Sequence, residues 1–479
     1  MLKKNTVFWI FFSAVFAVLI LPEITSIGMF FDGVTYAVIA RNLAEGTGTF
    51  FSPAYITPNF YEHPMLMCFL ESIFFRILGD HLIVEKLFSL ITCIVTLLLI
   101  SKIWKAVFRT EAQKHDLNLV WFPLLMFIIT PVIYWTFRNN MLENLLIIWG
   151  LCAVLLNFRA LKVNKNAHLY FILAVICIIL GLFTKGPVAL FPLAVPFLYW
   201  VSYRDKKFSL IIYYSLFQII LLLGLFYLIM QYKPANNFIA NYYNGQIAES
   251  LRSKGGAVIS FFQRFSILKQ LFFTNLSIII GICAVLFIIA KKKRIDLGIN
   301  LYKRDFLFFF LVGVSSSFPI MISMEQSSFY LVPSLPYYII AFSIIVLGAV
   351  KYLYNSINEH SSYYKIFKKI SIALLMAGLL YPLFVIGKIK RDHYILDDIY
   401  ILKPYMPNNI YLGVSQSLTD NWGLHAYMYR IFYNKLDDQT KDIKYYFLIK
   451  DDMPLNKNAV KVNAPTKNFD LYIAETKGE

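Results

Sequence analysis

The chain has 479 residues, 58% hydrophobic and only 15% charged, where an ordinary soluble domain carries roughly 25% charged residues. Its net charge of +17 comes from Lys and Arg clustered between apolar runs, a pattern of membrane topology that argues against nucleic acid as a partner. The five cysteines, Cys68, Cys93, Cys152, Cys177 and Cys283, all sit in apolar segments without CxxC spacing, which argues against a disulfide framework and a zinc site alike.

Crossing the hydrocarbon takes roughly 20 apolar residues. By that measure eleven spans are expected, near 6–26, 82–101, 120–137, 141–158, 168–184, 187–202, 209–230, 270–290, 306–323, 329–350 and 370–387. The first run, Val7 to Leu21, follows Lys3 and Lys4 and closes on Pro22 and Glu23. No small-x-small site follows it, so it reads as an uncleaved span and not a signal peptide.

Between the first two spans lies a long polar loop, 28–80. It opens on MFFDGVTYAVIARNLAEG, which predicts a helix over about 33–45 with Asp32 as its N-cap and Tyr36 one turn further on. Next comes FYEHPM, with Tyr61, Glu62, His63 and Pro64. Proline forces the preceding residue to be extended, so Glu62 and His63 point to opposite sides. A short helix over 64–78 is interrupted by Glu71 and Arg76 and is expected to lie along the interface.

The runs 120–158 and 168–202 read as hairpins turning at Phe137-Arg138-Asn139-Asn140 and at Thr184-Lys185-Gly186. Glu143 opens the span after the first turn, and Lys185 sits at the tip of the second. An ionisable residue in such a place is costly unless it snorkels to the surface or serves a function. Arg138, and Arg252 in the second long loop 232–269, have the same two readings: a plain boundary or solvated charge, or a cation facing a phosphate. The tail, 388–479, alternates strand-like pieces at 410–414, 445–449 and 471–474 with a helical stretch at 418–433, as in a small α/β domain. Residues 1–387 then form the membrane domain.

Alternate loops differ in basic content, 22 Lys and Arg on one side against 9 on the other. The positive-inside rule puts the N-terminus in the cytoplasm and loops 28–80, 232–269 and the tail outside.

Taken together, D-G-x-x-Y, F-Y-E-H-P, the span start M-L-E-N, the hairpin F-T-K-G-P and F-Y-L-V-P-S-L-P, in this order over 1–350, resemble the motifs of the bacterial lipid-A aminoarabinose transferases. These belong with the protein O-mannosyltransferases in the GT-C glycosyltransferase class. The resemblance implies a GT-C-type helical polytopic fold in a bacterial inner membrane, a polyprenyl-phosphate sugar as donor, and an extracytoplasmic acceptor such as lipid A, a glycan or a protein. By carry-over Asp32 and Glu143 are catalytic, and Glu62 is the acid of a site for a divalent metal cation. Tyr36, Tyr61, His63, Arg138, Lys185 and Arg252 then face the donor or its phosphate. The chain departs from the family in carrying His63 for a lysine and Glu143 for an aspartate. It also lacks a histidine in 232–269, where Asn244, Gln246 and Arg252 are the polar substitutes. An O-antigen-type ligase or polymerase and a lipid or polysaccharide flippase are the alternatives. A flippase would bury ionisable groups at mid-membrane, and Glu85-Lys86 comes nearest to that.

Overall fold

The computed structural model describes residues 3–108, 117–163, 166–248, 264–323, 326–437 and 443–474, apart from 451, 455 and 457. The chain divides into two compact units. One comprises Met1–Pro22, Tyr61–Met67 and Leu87–Tyr381, the other Glu23–Phe60, Cys68–Lys86 and Pro382–Glu479. This is a different grouping from a boundary at 387: most of the first loop goes with the tail.

Among the described residues, eight helices are long and apolar enough to cross a membrane: Lys4–Glu23, Val84–Val107, Leu142–Lys162, Ala167–Tyr203, Phe208–Met230, Ile299–Ile322, Ser328–Ile345 and Ser362–Phe384. Two bent pairs raise the number to ten if each is one broken span. The sequence pattern asks for eleven, and two kinds of departure account for the difference: two expected spans are bent pairs, and two others run into one stretch. The expected span 120–137 is broken: Leu117–Ile128 and Pro131–Arg138 meet at 74°. Thr130 is extended before Pro131, because the proline ring disfavours a helical residue before it and supplies no N–H to continue the ladder. The other bent pair, Ser266–Asn275 and Ser277–Lys293, turns by 56°.

The second departure is the stretch Ala167–Tyr203, which contains both expected spans 168–184 and 187–202. It reverses at Gly186, whose backbone (φ 72°, ψ −149°) suits only glycine. The two arms then pack so closely that a Cβ on Gly181 would come within 2.7 Å of the Ala189 Cβ. A 3-10 run, Gly186–Ala194, starts the returning arm. Phe208–Met230 and Ser362–Phe384 leave most of their apolar side chains at least partly exposed, the faces a lipid bilayer would cover.

In the second unit, Phe31–Ala44 is the first-loop helix, and a two-stranded ribbon of Gly48–Thr49 with Ser52–Pro53 follows it. The short helix is Leu66–Leu78, with Phe69, Ile73 and Ile77 exposed at helical spacing. The tail forms a five-stranded sheet in the order 435–437, 411–414, 445–449, 469–474, 459–461. Its first two pairings are parallel and its last two antiparallel. Helix Trp422–Phe432 supplies the crossover between Tyr411–Val414 and Lys435–Asp437, a connection parallel neighbours require. Strands were expected at three of these positions; Lys435–Asp437 and Ala459–Lys461 are too short to show as patterns.

The sheet and the first loop share one apolar core. Met29 and Val34 are buried with Ile395, Leu412, Leu424 and Phe447. The backbone continues the union: Ile27 N donates to Lys388 O at 2.9 Å and Lys390 N to Ile27 O at 3.0 Å.

Candidate active site

The turn at Gly186 determines where the charged groups of the first unit meet. It leaves Lys185 at the end of helix Ala167–Lys185, against the first turn of helix Leu142–Val163, which carries Glu143. The two form an ion pair, donated by Lys185 Nζ to Glu143 Oε1. Side-chain exposure is 15% for Lys185 and 1% for Glu143, which corrects the snorkelling alternative for both. Glu143 Oε2 is also buried and has no hydrogen-bond partner among the described residues.

Aromatic rings surround the ammonium. Nζ lies 4.4 Å from the Tyr330 ring centroid and 5.7 Å from that of Phe329. Ring quadrupoles attract a cation at these distances. Both residues come from the F-Y-L-V-P-S-L-P element, so the sequence marked the segment but not its contact with Lys185. Phe329 also stacks on Trp135, 5.6 Å between centroids, on the short helix that ends at Arg138. Arg138 Nε donates to Leu19 O at 2.6 Å, tying that helix end to the first span.

Residues 61–67 supply the rest of the site. His63 feels the Lys185 charge. Its pKa falls from the usual 6.5 to about 3, first through desolvation of the half-buried ring and second because of that charge. The imidazole is therefore neutral near pH 7. Glu62, beside it, is exposed. Tyr61 makes an edge contact with Phe238, 5.7 Å between centroids.

Next to these groups is a cavity of about 450 Å³. Pro64, Phe183, Gly186, Phe226, Phe238 and Tyr242 are among its walls, and its lining is almost wholly apolar. Tyr242 covers the turn: a Cβ on Gly186 would come within 2.3 Å of its hydroxyl. Burial pushes the Tyr242 phenol up to about 12. Tyr242 ends helix Lys233–Tyr242 in the second long loop, and nothing in the sequence pattern singled it out. Arg252 lies outside the described residues.

In the second unit, Asp32 is half-buried in the first turn of helix Phe31–Ala44. The N-cap is Phe30, which corrects the expectation that Asp32 caps the helix. A carboxylate in the first turn is still favoured by the helix dipole. Tyr36, one turn on, is buried.

A metal fits poorly here. Among the described residues no three His, Cys, Asp or Glu side chains converge, whereas a divalent cation takes several oxygen or nitrogen ligands.

The second unit also contains a buried charge network. Arg430 donates to Asp80 at 2.6 Å and to Glu85 at 3.2 Å. Burial opposes its charge, but the two carboxylates outweigh that and raise its pKa. Lys86 Nζ donates to Glu23 O at 2.7 Å. Glu85 and Lys86 thus sit at the first turn of their span, tied to polar partners at its edge.

No protein-family model matches the chain, and no curated protein matches it in sequence. Its fold has solved counterparts. ArnT from Cupriavidus metallidurans in the apo state superposes with a TM-score of 0.65 at 14% sequence identity, covering 99% of this chain and 100% of that one. The same protein bound to undecaprenyl phosphate gives 0.61 at 14% identity, with 98% of each chain covered. The chain has the ArnT-like fold, a helical polytopic membrane protein with a small mixed sheet at its C-terminus, as the motif resemblance implied.

Proposed function

We propose that this chain is an integral-membrane glycosyltransferase. It takes one sugar from a polyprenyl-phosphate carrier and passes it, with inversion, to an extracytoplasmic acceptor. The observation that carries the proposal is the adjacency of a half-buried, ion-paired lysine and an apolar cavity walled by its neighbour Gly186. An isoprenoid tail needs the cavity, and its phosphate needs the cation. The likeness to a fold solved with undecaprenyl phosphate bound supports the same choice of donor.

The chemistry follows from the side chains. The acceptor oxygen attacks the anomeric carbon, the C1–O bond to phosphate breaks, and the carrier leaves as a monophosphate. Negative charge grows on the departing phosphate, and preorganised cations at such a point are worth several kcal/mol. An ammonium has three donors. One of those on Lys185 is committed to Glu143, leaving two for phosphate oxygens. Glu143 Oε1 holds the ammonium in place, and Oε2 can accept a sugar hydroxyl. Neutral His63 can donate or accept a hydrogen bond without adding repulsion to the donor. Asp32 orients the acceptor and takes its proton late, since a carboxylate near pKa 4 is too weak a base to remove it early. Arg138 and Arg252 remain candidate phosphate partners, and Tyr36 and Tyr61 candidate donor contacts.

The basic-residue asymmetry supports a cytoplasmic N-terminus and an outward-facing site in a bacterial inner membrane. A ligase or polymerase using a diphosphate-linked donor is the nearest alternative. The binding of Glu85 and Lys86 at a span edge speaks against a flippase.

The test uses purified protein and labelled polyprenyl-phosphate sugars. Asp32→Asn is expected to abolish transfer while the protein stays folded. Removing Lys185 alone would leave Glu143 buried without its cation, at a cost of about 3–5 kcal/mol. The double variant Glu143→Gln/Lys185→Met avoids that penalty, and it is expected to fold yet transfer about 100-fold more slowly or worse. Wild-type transfer by either variant would remove the corresponding assignment.

A further inference from the structure

The second unit holds a cavity of about 470 Å³ that no step above uses. Phe30 and Phe31 enter it from the first loop, Arg391, Asp392 and Tyr394 from the start of helix His393–Leu402, and Ser417 to Gly423 from the turn before helix Trp422–Phe432. Three of its aromatic side chains are unusually open: Trp422 is 60% exposed, Tyr394 54% and Phe31 39%. Large rings left in water around a concavity mark a binding surface, because a soluble face without such a role is normally polar.

The polar part of the wall is built and held. Asp392 Oδ2 accepts from the Tyr427 hydroxyl at 2.7 Å and lies 3.5 Å from Arg391 Nε. Asn421 Oδ1 caps helix Trp422–Phe432 by accepting from Leu424 N at 3.0 Å. His425 Nε2 and Thr419 O are 2.9 Å apart, closing the turn that presents Asp420. The site is thus largely preorganised, and little ordering cost falls on binding.

The mixture of groups selects the ligand class. Two carboxylates against one guanidinium disfavour a phosphate or a nucleic acid. The polar floor disfavours a lipid tail or an apolar helix face. A sugar ring suits it: its C–H face stacks on an exposed aromatic ring while its hydroxyls meet carboxylates, an amide and a serine hydroxyl. We propose that this cavity binds a glycan, and that the glycan is the acceptor of the transfer reaction. The acceptor role rests on the glycosyltransferase proposal, and it has a direct structural link: Phe31 lines the cavity and Asp32 is the next residue of the same helical turn.

Saturation-transfer NMR on the full-length protein in detergent, without donor, tests the binding. The probes are maltotriose, mannotriose and chitotriose, with inorganic phosphate and a tripeptide as controls. At least one trisaccharide is expected to receive saturation at its ring protons. Trp422→Ala is expected to weaken that sugar roughly tenfold or more, and Trp422→Phe to restore most of the loss. Trp422 is largely solvent-exposed, so both variants should fold; Asp420→Asn gives a second loss that does not depend on the ring. Binding is read without donor and without any transfer step, which keeps this result separate from the fate of the transfer chemistry. No saturation of any trisaccharide, saturation unchanged in Trp422→Ala, or binding of phosphate or peptide alone would each overturn the proposal.

Discussion

At the level of single residues, the site depends on charges placed where water is scarce. His63 shows this most simply. The unfolded chain takes up its proton near pH 6.5, whereas the folded ring holds out until about pH 3. Between those values the unfolded state binds more protons, so stability falls as the pH falls. The thermal midpoint in detergent is expected to drop through that window, and His63→Gln to flatten the drop. An unchanged acid limb in the variant would show that His63 does not carry it. Lys185 was legible as a candidate because a lysine between two apolar arms needs an explanation. Its partner was not: Glu143 is 42 residues away, and only the reversal at Gly186 brings them together. The role of Asp32 as N-cap was misread by two positions, since Phe30 gives no chemical sign of capping anything.

At the level of elements, helix Phe31–Ala44 is held by groups distant in sequence. The Tyr427 hydroxyl accepts from Met29 N at 3.0 Å, just before the helix begins. At its other end Arg41 donates to the carbonyls of Tyr429 and Arg430 at 3.2 and 3.1 Å, and its guanidinium lies 3.7 Å from the Tyr433 ring centroid. Burial lowers the Arg41 pKa, so these contacts offset a real desolvation cost. Arg430, beside them, serves two carboxylates. Arg430→Met leaves Asp80 and Glu85 without it and is expected to cost about 3–5 kcal/mol. Arg430→Lys should recover only part of that, because one ammonium does not reproduce a planar fork. Hydrogen exchange across residues 31–44 should report the loosening; full protection in Arg430→Met would refute the assigned role. Helices such as this one were readable from apolar spacing. The bend at Thr130–Pro131 was readable in principle, since proline declared it, but an unbroken apolar run concealed it.

For the whole molecule, the balance of basic residues on alternate loops makes a prediction about sidedness. Alkaline phosphatase fused after residue 479 is expected to be active, and the same reporter fused within the loop at 291–304 inactive. The reverse result would turn the molecule over and put the loops on the cytoplasmic face. The fold class was legible because hydrocarbon imposes one length on every span. The grouping of first loop with tail was not, because an apolar core shared between residues 29 and 471 leaves no local mark on either segment.

The pairing of Ile27 with Lys388 and Lys390 has a consequence for the order of biosynthesis. The segment leading into helix Phe31–Ala44 is translated more than 350 residues before its hydrogen-bonding partners. A nascent chain arrested before residue 388 therefore carries the candidate spans up to Phe384 and still lacks the strand partner of its first loop.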